Sequence, residues 1–523
     1  MRYKLSVFLV FLGSVFLTSE KFVDTENTIK FYFTILAALV GIIIVSFNSN
    51  NLKLELQKLT SFSILKGFYI AGVLQAIYGI LQYIGKYSSN NEAFAITGSF
   101  ENPAGFIAVL SFLFSIGVYW CIKSKKIEQR LIFFSLGLIL YSIILTGSRT
   151  GIIAVFFSTF TILSIEFQLL LKIKKLKYYR LIICSSIATV LFILFLLYKN
   201  KEDSANGRLL IWKVSTEMIK DKPLFGFGYK GFQANYMDYQ AKYFEKNPQS
   251  KFKQLADNVI HPFNEFVNIA ISFGVIGLAL YLLVLTFIIW MLLNFEHQHK
   301  SILVGLFITF IIISCFSYLF CYSSIWILIG YFSLVVFSKW IPYIRISLIT
   351  KIAVIAFCLL GIIFFSSRIV WELKWKNILV KSLQGQTEQM LPQYEKLYPF
   401  LKHNEYFLYN YGAELNIAKQ YDKSIIILKE CQKFYNDYDL QMLLADNYFQ
   451  IGDTINAIRI YCCAENMIPC RFLPLYCQME IYEKNGKKNK VNEIARKIVE
   501  KEIKVKSAIV ESIIEKAELN LSN

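Results

Sequence analysis

Charged residues are scarce in this chain. Asp, Glu, Lys and Arg make up only 18% of its 523 residues, whereas soluble domains carry about 25%. Hydrophobic residues make up 55%, and the mean hydropathy is +0.47. Runs such as Leu181–Tyr198 and Val275–Leu293 contain no charge over about the length that a bilayer core requires. This composition excludes a single soluble domain and a disordered or collagen-like chain. The strands of a transmembrane β-barrel alternate apolar and polar residues, so these unbroken apolar runs also argue against a barrel.

Metal-binding spacings are lacking as well. The ten cysteines include no C-x-x-C pair, and no zinc spacing fits them. Five lie in or beside apolar runs and are expected to act as small hydrophobic residues: Cys121, Cys184, Cys315, Cys321 and Cys358. The other five lie in the C-terminal region, where an oxidising compartment would permit disulfides of open connectivity: Cys431, Cys462, Cys463, Cys470 and Cys477.

Positive charge is in excess. The formal net charge is +18, from 55 Lys and Arg against 37 Asp and Glu. In a soluble protein this excess would indicate nucleic-acid binding. Here the basic residues cluster between apolar runs, as expected of cytoplasmic loops that set membrane topology. No nucleic-acid partner is therefore expected.

Eleven apolar spans predict an all-α integral membrane protein with about 11 transmembrane helices. They are residues 3–18, 30–47, 62–84, 103–121, 131–147, 150–168, 181–198, 264–293, 301–320, 323–341 and 349–367. No small-x-small cleavage site follows the first span in Leu17–Glu20, so this helix is expected to be retained. Basic residues cluster in alternate loops, which places the N-terminus in the cytoplasm and the C-terminus outside: Lys123, Lys125, Lys126, Arg130, Lys172, Lys174, Lys175, Lys177, Arg180, Lys339, Arg345 and Lys351.

Two polar regions interrupt or follow the spans. Residues 199–262 form a large loop on the predicted outer side, and helix-like pieces with aromatic residues indicate a folded cap. From about residue 368 the chain is charged and has helical periodicity. The predicted division is 1–198, N-terminal transmembrane helices; 199–262, outer loop; 263–367, C-terminal transmembrane helices; and 368–523, an outer helical domain.

The tail has an internal repeat. The segments that begin at Gln420, Asp453 and Lys487 superpose at spacings of 33 and 34 residues, and Gly452 and Gly486 fall at one repeat position. This period resembles that of tetratricopeptide repeats, which are paired helices. An irregular helical bundle is the alternative. Either arrangement is expected to bind or scaffold, because helical solenoids offer a concave surface.

Four short stretches share the predicted outer side, and the first of them fits the start of a helix. In the first, Glu101 and Asn102 precede Pro103, which fits the first position of a helix. In the second, Arg149 lies in the tight turn at residues 146–151. An arginine this close to the hydrocarbon boundary is costly unless it is paired or functional.

The other two stretches belong to the large loop and its end. Arg208 and Trp212 form an Arg-x-x-x-Trp pattern, followed by Pro-Leu-x-Gly-x-Gly at residues 223–228, whose glycines allow a tight turn. His261 leads into Asn264 and Glu265 at the start of span eight, ahead of Phe-Gly-x-x-Gly at residues 273–277. Of the four histidines only His261 lies at the predicted outer mouth.

In this order and on one side, these stretches resemble the O-antigen ligase and polymerase superfamily of integral membrane glycosyltransferases, over roughly residues 60–340. The resemblance implies transfer of a glycan from undecaprenyl pyrophosphate to an acceptor at the periplasmic face of a bacterial inner membrane. It implies no metal, no nucleotide sugar and no other cofactor. Arg149 and Arg208 match the arginines that hold the diphosphate, whose negative charge develops as it leaves.

The acceptor hydroxyl needs a base, and His261 is the candidate because imidazole titrates near neutral pH. Many family members place a histidine immediately before the asparagine, whereas this chain has Phe263 there. Glu265 and Glu101 are therefore alternative bases. Supporting roles fall to Asn102, Trp212 and Asn264, the last as an orienting or capping residue.

Several functions stay open on the sequence alone. A ligase that uses lipid A-core as acceptor is favoured over a polymerase and over a protein O-oligosaccharyltransferase. The tail indicates a protein partner or acceptor on the periplasmic side. A transporter is disfavoured because the two halves show no inverted repeat. A non-catalytic scaffold would make Arg149, Arg208 and His261 dispensable together.

Overall fold

The structure, a computed structural model, describes residues 2–48, 60–181, 201–295, 299–338, 340 and 347–522, with isolated residues between 184 and 199. Within these ranges the regular elements are helical. The first half contains α1 (Arg2–Phe16), α2 (Asn27–Asn48), α3 (Phe62–Tyr83), α4 (Pro103–Lys123), α5 (Lys126–Leu145), α6 (Arg149–Glu166), α7 (Leu169–Lys174), α8 (Glu202–Asp221) and α9 (Gly231–Lys246). The second half contains α10 (Glu265–Leu293), α11 (Lys300–Phe316), α12 (Ser323–Ser338), α13 (Leu348–Lys381), α14 (Thr387–Leu401), α15 (Glu405–Ile417), α16 (Tyr421–Cys431), α17 (Tyr438–Gln450), α18 (Thr454–Met467), α19 (Leu473–Lys484), α20 (Lys488–Val499) and α21 (Ala508–Ser522).

The apolar helices match the predicted membrane spans. Among the described residues, seven helical stretches are long and apolar enough to cross a membrane. They are Asn27–Phe47, Phe62–Tyr83, Pro103–Lys123, Lys126–Leu145, Arg149–Glu166, Glu265–Leu293 and Leu348–Leu401. Shorter apolar helices cover Lys4–Phe16, Lys300–Phe316 and Ser323–Ser338. The predicted span at 181–198 lies largely outside the described residues. The prediction of an all-α membrane protein is confirmed.

The chain forms two compact units. The first contains residues 1–197, 263–265 and 282–373. Its centre is α4, which is buried almost continuously from Gly105 to Tyr119 and packs against α3, α5, α6 and α11. Small residues permit this close packing: a methyl group at Gly72 would lie 2.6 Å from the Leu113 side chain. Neighbouring helices therefore enclose α4 over these residues.

The second unit contains residues 198–262, 266–281 and 374–523. Its tail helices pair in order, α15 with α16, α17 with α18 and α19 with α20. Lys419, Gly452 and Gly486 end the first helix of each pair with a left-handed backbone, at φ of 59°, 84° and 66°. The same turn thus recurs at the predicted repeat position. It supports the tetratricopeptide-like interpretation, which stays a prediction, as do the predicted domain boundaries.

The large loop is part of this second unit. Helix α9 packs against α18, and the Gln240 side-chain amide donates to the Met467 carbonyl at 2.7 Å. The Asn436 backbone N–H donates to the Gln233 carbonyl at 3.1 Å, and Lys230 forms a 2.5 Å ion pair with Glu405. Part of the tail surface is therefore covered by the chain's own loop. In the described tail no disulfide joins the five cysteines.

Candidate functional site

A first group of predicted site residues lies in the second unit. Trp212 on α8 donates its indole N–H to the Pro262 carbonyl at 2.9 Å. Arg208 lies four residues earlier on the same helix, so the two side chains share one face of α8. Pro262 directly follows His261 in the chain. The structure therefore brings the Arg208–Trp212 face of α8 to the segment that carries His261.

The electrostatic environment of this group favours a neutral imidazole. His261, Arg208 and Trp212 are each half-buried. Burial lowers the pKa of His261 to about 4 from its ordinary value of 6.5. The ring is therefore uncharged near neutral pH and has a nitrogen lone pair that can accept a proton.

The two glycine-rich stretches of the sequence pair with each other in this unit. Helix α10 is broken at Gly274, whose φ is 65°. The broken turn is completed by residues 223–228. The Phe227 N–H donates to the Ile271 carbonyl at 2.8 Å, and the Val275 N–H donates to the Pro223 carbonyl at 2.7 Å. These bonds satisfy backbone groups that the break leaves without helical partners, which an apolar helix requires.

Gly226 is needed for this pairing. It has a φ of 67°, and a methyl group there would lie 2.3 Å from the Ile271 carbonyl oxygen. Gly228 also has a positive φ, of 87°, but nothing lies within 4 Å of its methyl position. The pattern at 223–228 thus supports the broken backbone of α10 and need not itself touch a substrate.

A second group lies in the first unit, at the start of α4. Asn102 caps this helix by accepting from the Ala104 N–H at 2.9 Å, and its oxygen also accepts from the Tyr322 hydroxyl at 3.0 Å. The Glu101 carboxylate accepts from the side-chain amides of Asn27 at 2.6 Å and Asn102 at 2.9 Å. Burial, helped by Asp24 and Glu26, raises the pKa of Glu101.

Glu265 belongs to the same end of the first unit. It is only 1% exposed, and its carboxylate accepts from the Phe320 backbone N–H at 3.0 Å. Its neighbour Phe263 has a left-handed backbone, at φ 52°, and packs edge-to-face on Tyr318, with ring centres 5.4 Å apart. Asn264, which lies between Phe263 and Glu265 in the sequence, is half-buried. The turn at residues 318–322 thus contacts both Glu265 and Asn102.

The charges of both candidate carboxylates, Glu101 and Glu265, also act on the turn at residues 318–322. Burial raises the pKa of Cys321 to about 12, and the charges of Glu265 and Glu101 act in the same direction. Burial likewise raises the pKa of Tyr318 to about 12, with a further contribution from Glu101. Glu101 and Glu265 therefore lie in one electrostatic environment around residues 318–322.

Arg149 is the first residue of α6. Ser148 caps the helix by accepting from the Gly151 N–H at 3.2 Å. A methyl group at Gly151 would lie 2.6 Å from the Ile107 side chain, one turn into α4. Helices α4 and α6 therefore begin at the same end of the first unit. Arg149 is half-buried there, where helix N-termini favour an anion.

The sequence did not single out Asn27, Lys30, Tyr318 or Tyr322. Lys30 is 2% exposed, donates to the Ser99 carbonyl and lies 4.3 Å from the centre of the Phe100 ring. Its position near the start of an apolar span was a usable signal, because buried cations in such spans are rare. The two tyrosines carried no such signal, since aromatic residues between spans are common interfacial anchors.

Fold and site together define a multi-pass helical membrane protein with an Arg–Trp–His group in one unit and a carboxylate–amide–tyrosine group in the other. Residues 132–282 match the model of the O-antigen ligase family. This match agrees with the family that the sequence motifs resemble. This region contains Arg149, Arg208, Trp212 and His261, whereas Glu101 lies outside it.

A curated relative carries a related name. The chain is 28% identical over 144 residues to a Rickettsia conorii protein called "Putative polysaccharide ligase". The match covers 25% of this chain and 32% of that protein. The chain thus spans about a third of the length of the relative that it matches.

Proposed function

We propose that this chain is an O-antigen ligase-like glycosyltransferase of the bacterial inner membrane. It moves a glycan from undecaprenyl pyrophosphate to lipid A-core at the periplasmic face. The N-terminus is cytoplasmic, and the loop and the helical tail are periplasmic. The observation that carries the proposal is the Trp212–Pro262 hydrogen bond, which brings the face of α8 bearing Arg208 to the His261 segment within the residues that match the O-antigen ligase family.

The reaction needs few protein groups. An acceptor hydroxyl attacks the anomeric carbon, a new glycosidic bond forms, and the bond from that carbon to the diphosphate oxygen breaks. Undecaprenyl pyrophosphate leaves with the bonding electrons. Arg208 and Arg149 are assigned to the diphosphate, because a guanidinium offers paired donors to phosphate oxygens where negative charge grows.

His261 is assigned as the base that takes the hydroxyl proton. Its low pKa keeps the imidazole neutral near pH 7 and makes it a weak base while no substrate is bound. A bound diphosphate would raise that pKa and so strengthen the base as the substrate arrives. The Glu265 carboxylate already accepts the Phe320 N–H, which favours an anchoring role for it. Asn102, Asn264 and Trp212 orient their neighbours, and Glu101 is the reserve base.

The same chemistry would serve a polymerase or a protein O-oligosaccharyltransferase, and the acceptor distinguishes them. The test is the lipopolysaccharide profile of a strain that lacks this chain, complemented with the wild type, Arg208→Ala or Arg208→Lys. Loss of all glycan-bearing bands, with glycan accumulating on the lipid carrier, is expected without the chain and with Arg208→Ala. A core bearing one repeat unit would identify a polymerase. An unchanged ladder in all strains would exclude both and leave a glycoprotein acceptor, a transporter or a scaffold.

A further inference from the structure

A cavity of about 620 Å³ opens in the first unit. This volume lies within the range of small-molecule sites, about 300–1,000 Å³. Eight of its nine lining residues carry a polar side-chain atom, and Phe16 is the exception. A lining of this kind suits a polar, hydroxyl-rich ligand better than an acyl chain. The ends of α1 and α3 form the wall, together with the α1–α2 connection and the segment before α4.

The cavity adjoins the Glu101 group. Ser99, in its lining, is two residues from Glu101, and Asn27, which donates to the Glu101 carboxylate, follows the lining residue Glu26. The charge of Glu26 also contributes to the raised pKa of Glu101. Cavity and carboxylate therefore form one continuous polar region of the first unit.

The cavity floor is fixed by internal bonds. The Ser99 hydroxyl accepts from the Gln75 side-chain amide at 2.9 Å, and the Ser99 carbonyl accepts from the buried Lys30 ammonium. Asn90 in the lining donates to the Phe100 carbonyl at 3.1 Å. A floor whose groups are already positioned loses little entropy when a ligand binds, which favours affinity.

Charge decides which part of a lipid-linked glycan fits. Glu20 and Glu26 line the cavity, and Asp24 lies between them in the chain. Lys30 interacts electrostatically with Glu26 and Asp24, and its ammonium donates to the Ser99 carbonyl. A diphosphate would be repelled here, whereas sugar hydroxyls or an amino group would donate to the carboxylates.

We propose that this cavity is a saccharide-binding subsite that takes an uncharged or amino-substituted sugar unit. Glu26 accepts hydrogen bonds from the sugar, and Tyr78 supplies a hydroxyl and a ring surface. The assignment of the sugar to a transferred glycan or to its acceptor rests on the proposed function. The binding of a saccharide does not.

The test is saccharide binding by the purified full chain, measured by saturation-transfer NMR and titration. The probes are two oligosaccharide fractions released by mild acid from the envelope of the bacterium that carries this chain: the polymeric glycan and the core. We expect one fraction to bind, and the identity of that fraction shows whether the subsite serves donor or acceptor. Glu26→Gln and Tyr78→Phe conserve shape and remove a hydrogen-bonding group. Glu26→Gln is expected to weaken binding roughly tenfold or more, because it replaces a charged acceptor.

Glu92→Gln is the matched control, since Glu92 is exposed in the segment before α4 but does not line the cavity. Binding that is weakened in both cavity variants and unchanged in the control supports the proposal. Absence of binding of either fraction to the wild type overturns it, as does wild-type affinity in both cavity variants. Transfer measured in parallel separates the two hypotheses. A wild type that binds but transfers nothing contradicts the proposed function alone, and a wild type that transfers with unaffected cavity variants contradicts the subsite alone.

Discussion

The ion pair between Lys230 and Glu405 joins the large loop to the tail, and reversing it tests whether the tail orders the loop. The two charged atoms are 2.5 Å apart, and their side chains are only 19% and 8% exposed. Removing one partner of a buried pair costs about 3–5 kcal/mol, because the other charge stays buried without compensation. We expect Lys230→Glu and Glu405→Lys each to destabilise the contact by about 3 kcal/mol, which raises its open population roughly a hundredfold.

The assay is hydrogen–deuterium exchange of the purified full chain, followed in peptides that cover α9. Each single reversal should speed exchange there, and the double reversal should recover much of the protection by restoring an attractive pair. Recovery is expected to be incomplete, because Glu405 begins α15 and a lysine there opposes the helix dipole. Lys246→Glu, an exposed change at the other end of α9, is the control. Exchange in the single variants equal to this control, or a double variant no better than the singles, would refute the role assigned to the tail.

Three further outcomes are expected. Arg208→Ala should lower glycan transfer by about 10²–10³ with normal membrane insertion, since it removes a donor to developing charge, and Arg208→Lys should retain part of the rate. Burial lowers the pKa of His261 from 6.5 to about 4, so the unfolded chain takes up a proton there before the folded chain does. The free energy of unfolding is therefore unaffected by His261 above pH 6.5 and falls by up to about 3 kcal/mol as the pH drops to 4. Thermal unfolding of His261→Gln, measured across this pH range, should lack that loss of stability. Gly226→Ala should lower the melting temperature of the purified chain more than Gly228→Ala. Both changes incur the strain of a positive φ, about 1–2 kcal/mol, but only the methyl group at position 226 would collide with the Ile271 carbonyl. Equal decreases in melting temperature would argue against the pairing of the two glycine-rich stretches.

The membrane helices were predictable from the sequence because bilayer thickness imposes a length and an apolar composition on each. The helices of the tail were predictable from their periodicity, and one turn geometry recurs at Lys419, Gly452 and Gly486. The glycines of the Phe-Gly-x-x-Gly pattern are compatible with a break in α10 but do not predict one. Its partner, the backbone at residues 223–228, lies about fifty residues away, and backbone hydrogen bonds leave no periodic signal in side chains.

The sequence selects candidate site residues but not their arrangement. The motifs selected Arg208, Trp212 and His261, but the bond that connects them uses the carbonyl of Pro262, which any residue would offer. The acidic residues Glu101 and Glu265 were expected as reserve bases. Residues 318–322 contact Glu265 and Asn102, the neighbour of Glu101, through tertiary packing that span prediction does not reach.

The central claim is that the chain itself transfers a glycan, and reconstitution tests it most directly. The purified full chain in lipid nanodiscs is given lipid-linked glycan and lipid A-core, and the glycosylated core and released undecaprenyl pyrophosphate are quantified by mass spectrometry. We predict equal amounts of the two products from the wild type and a loss of both with Arg208→Ala. Intact donor and core after incubation with a folded wild-type chain would contradict the account.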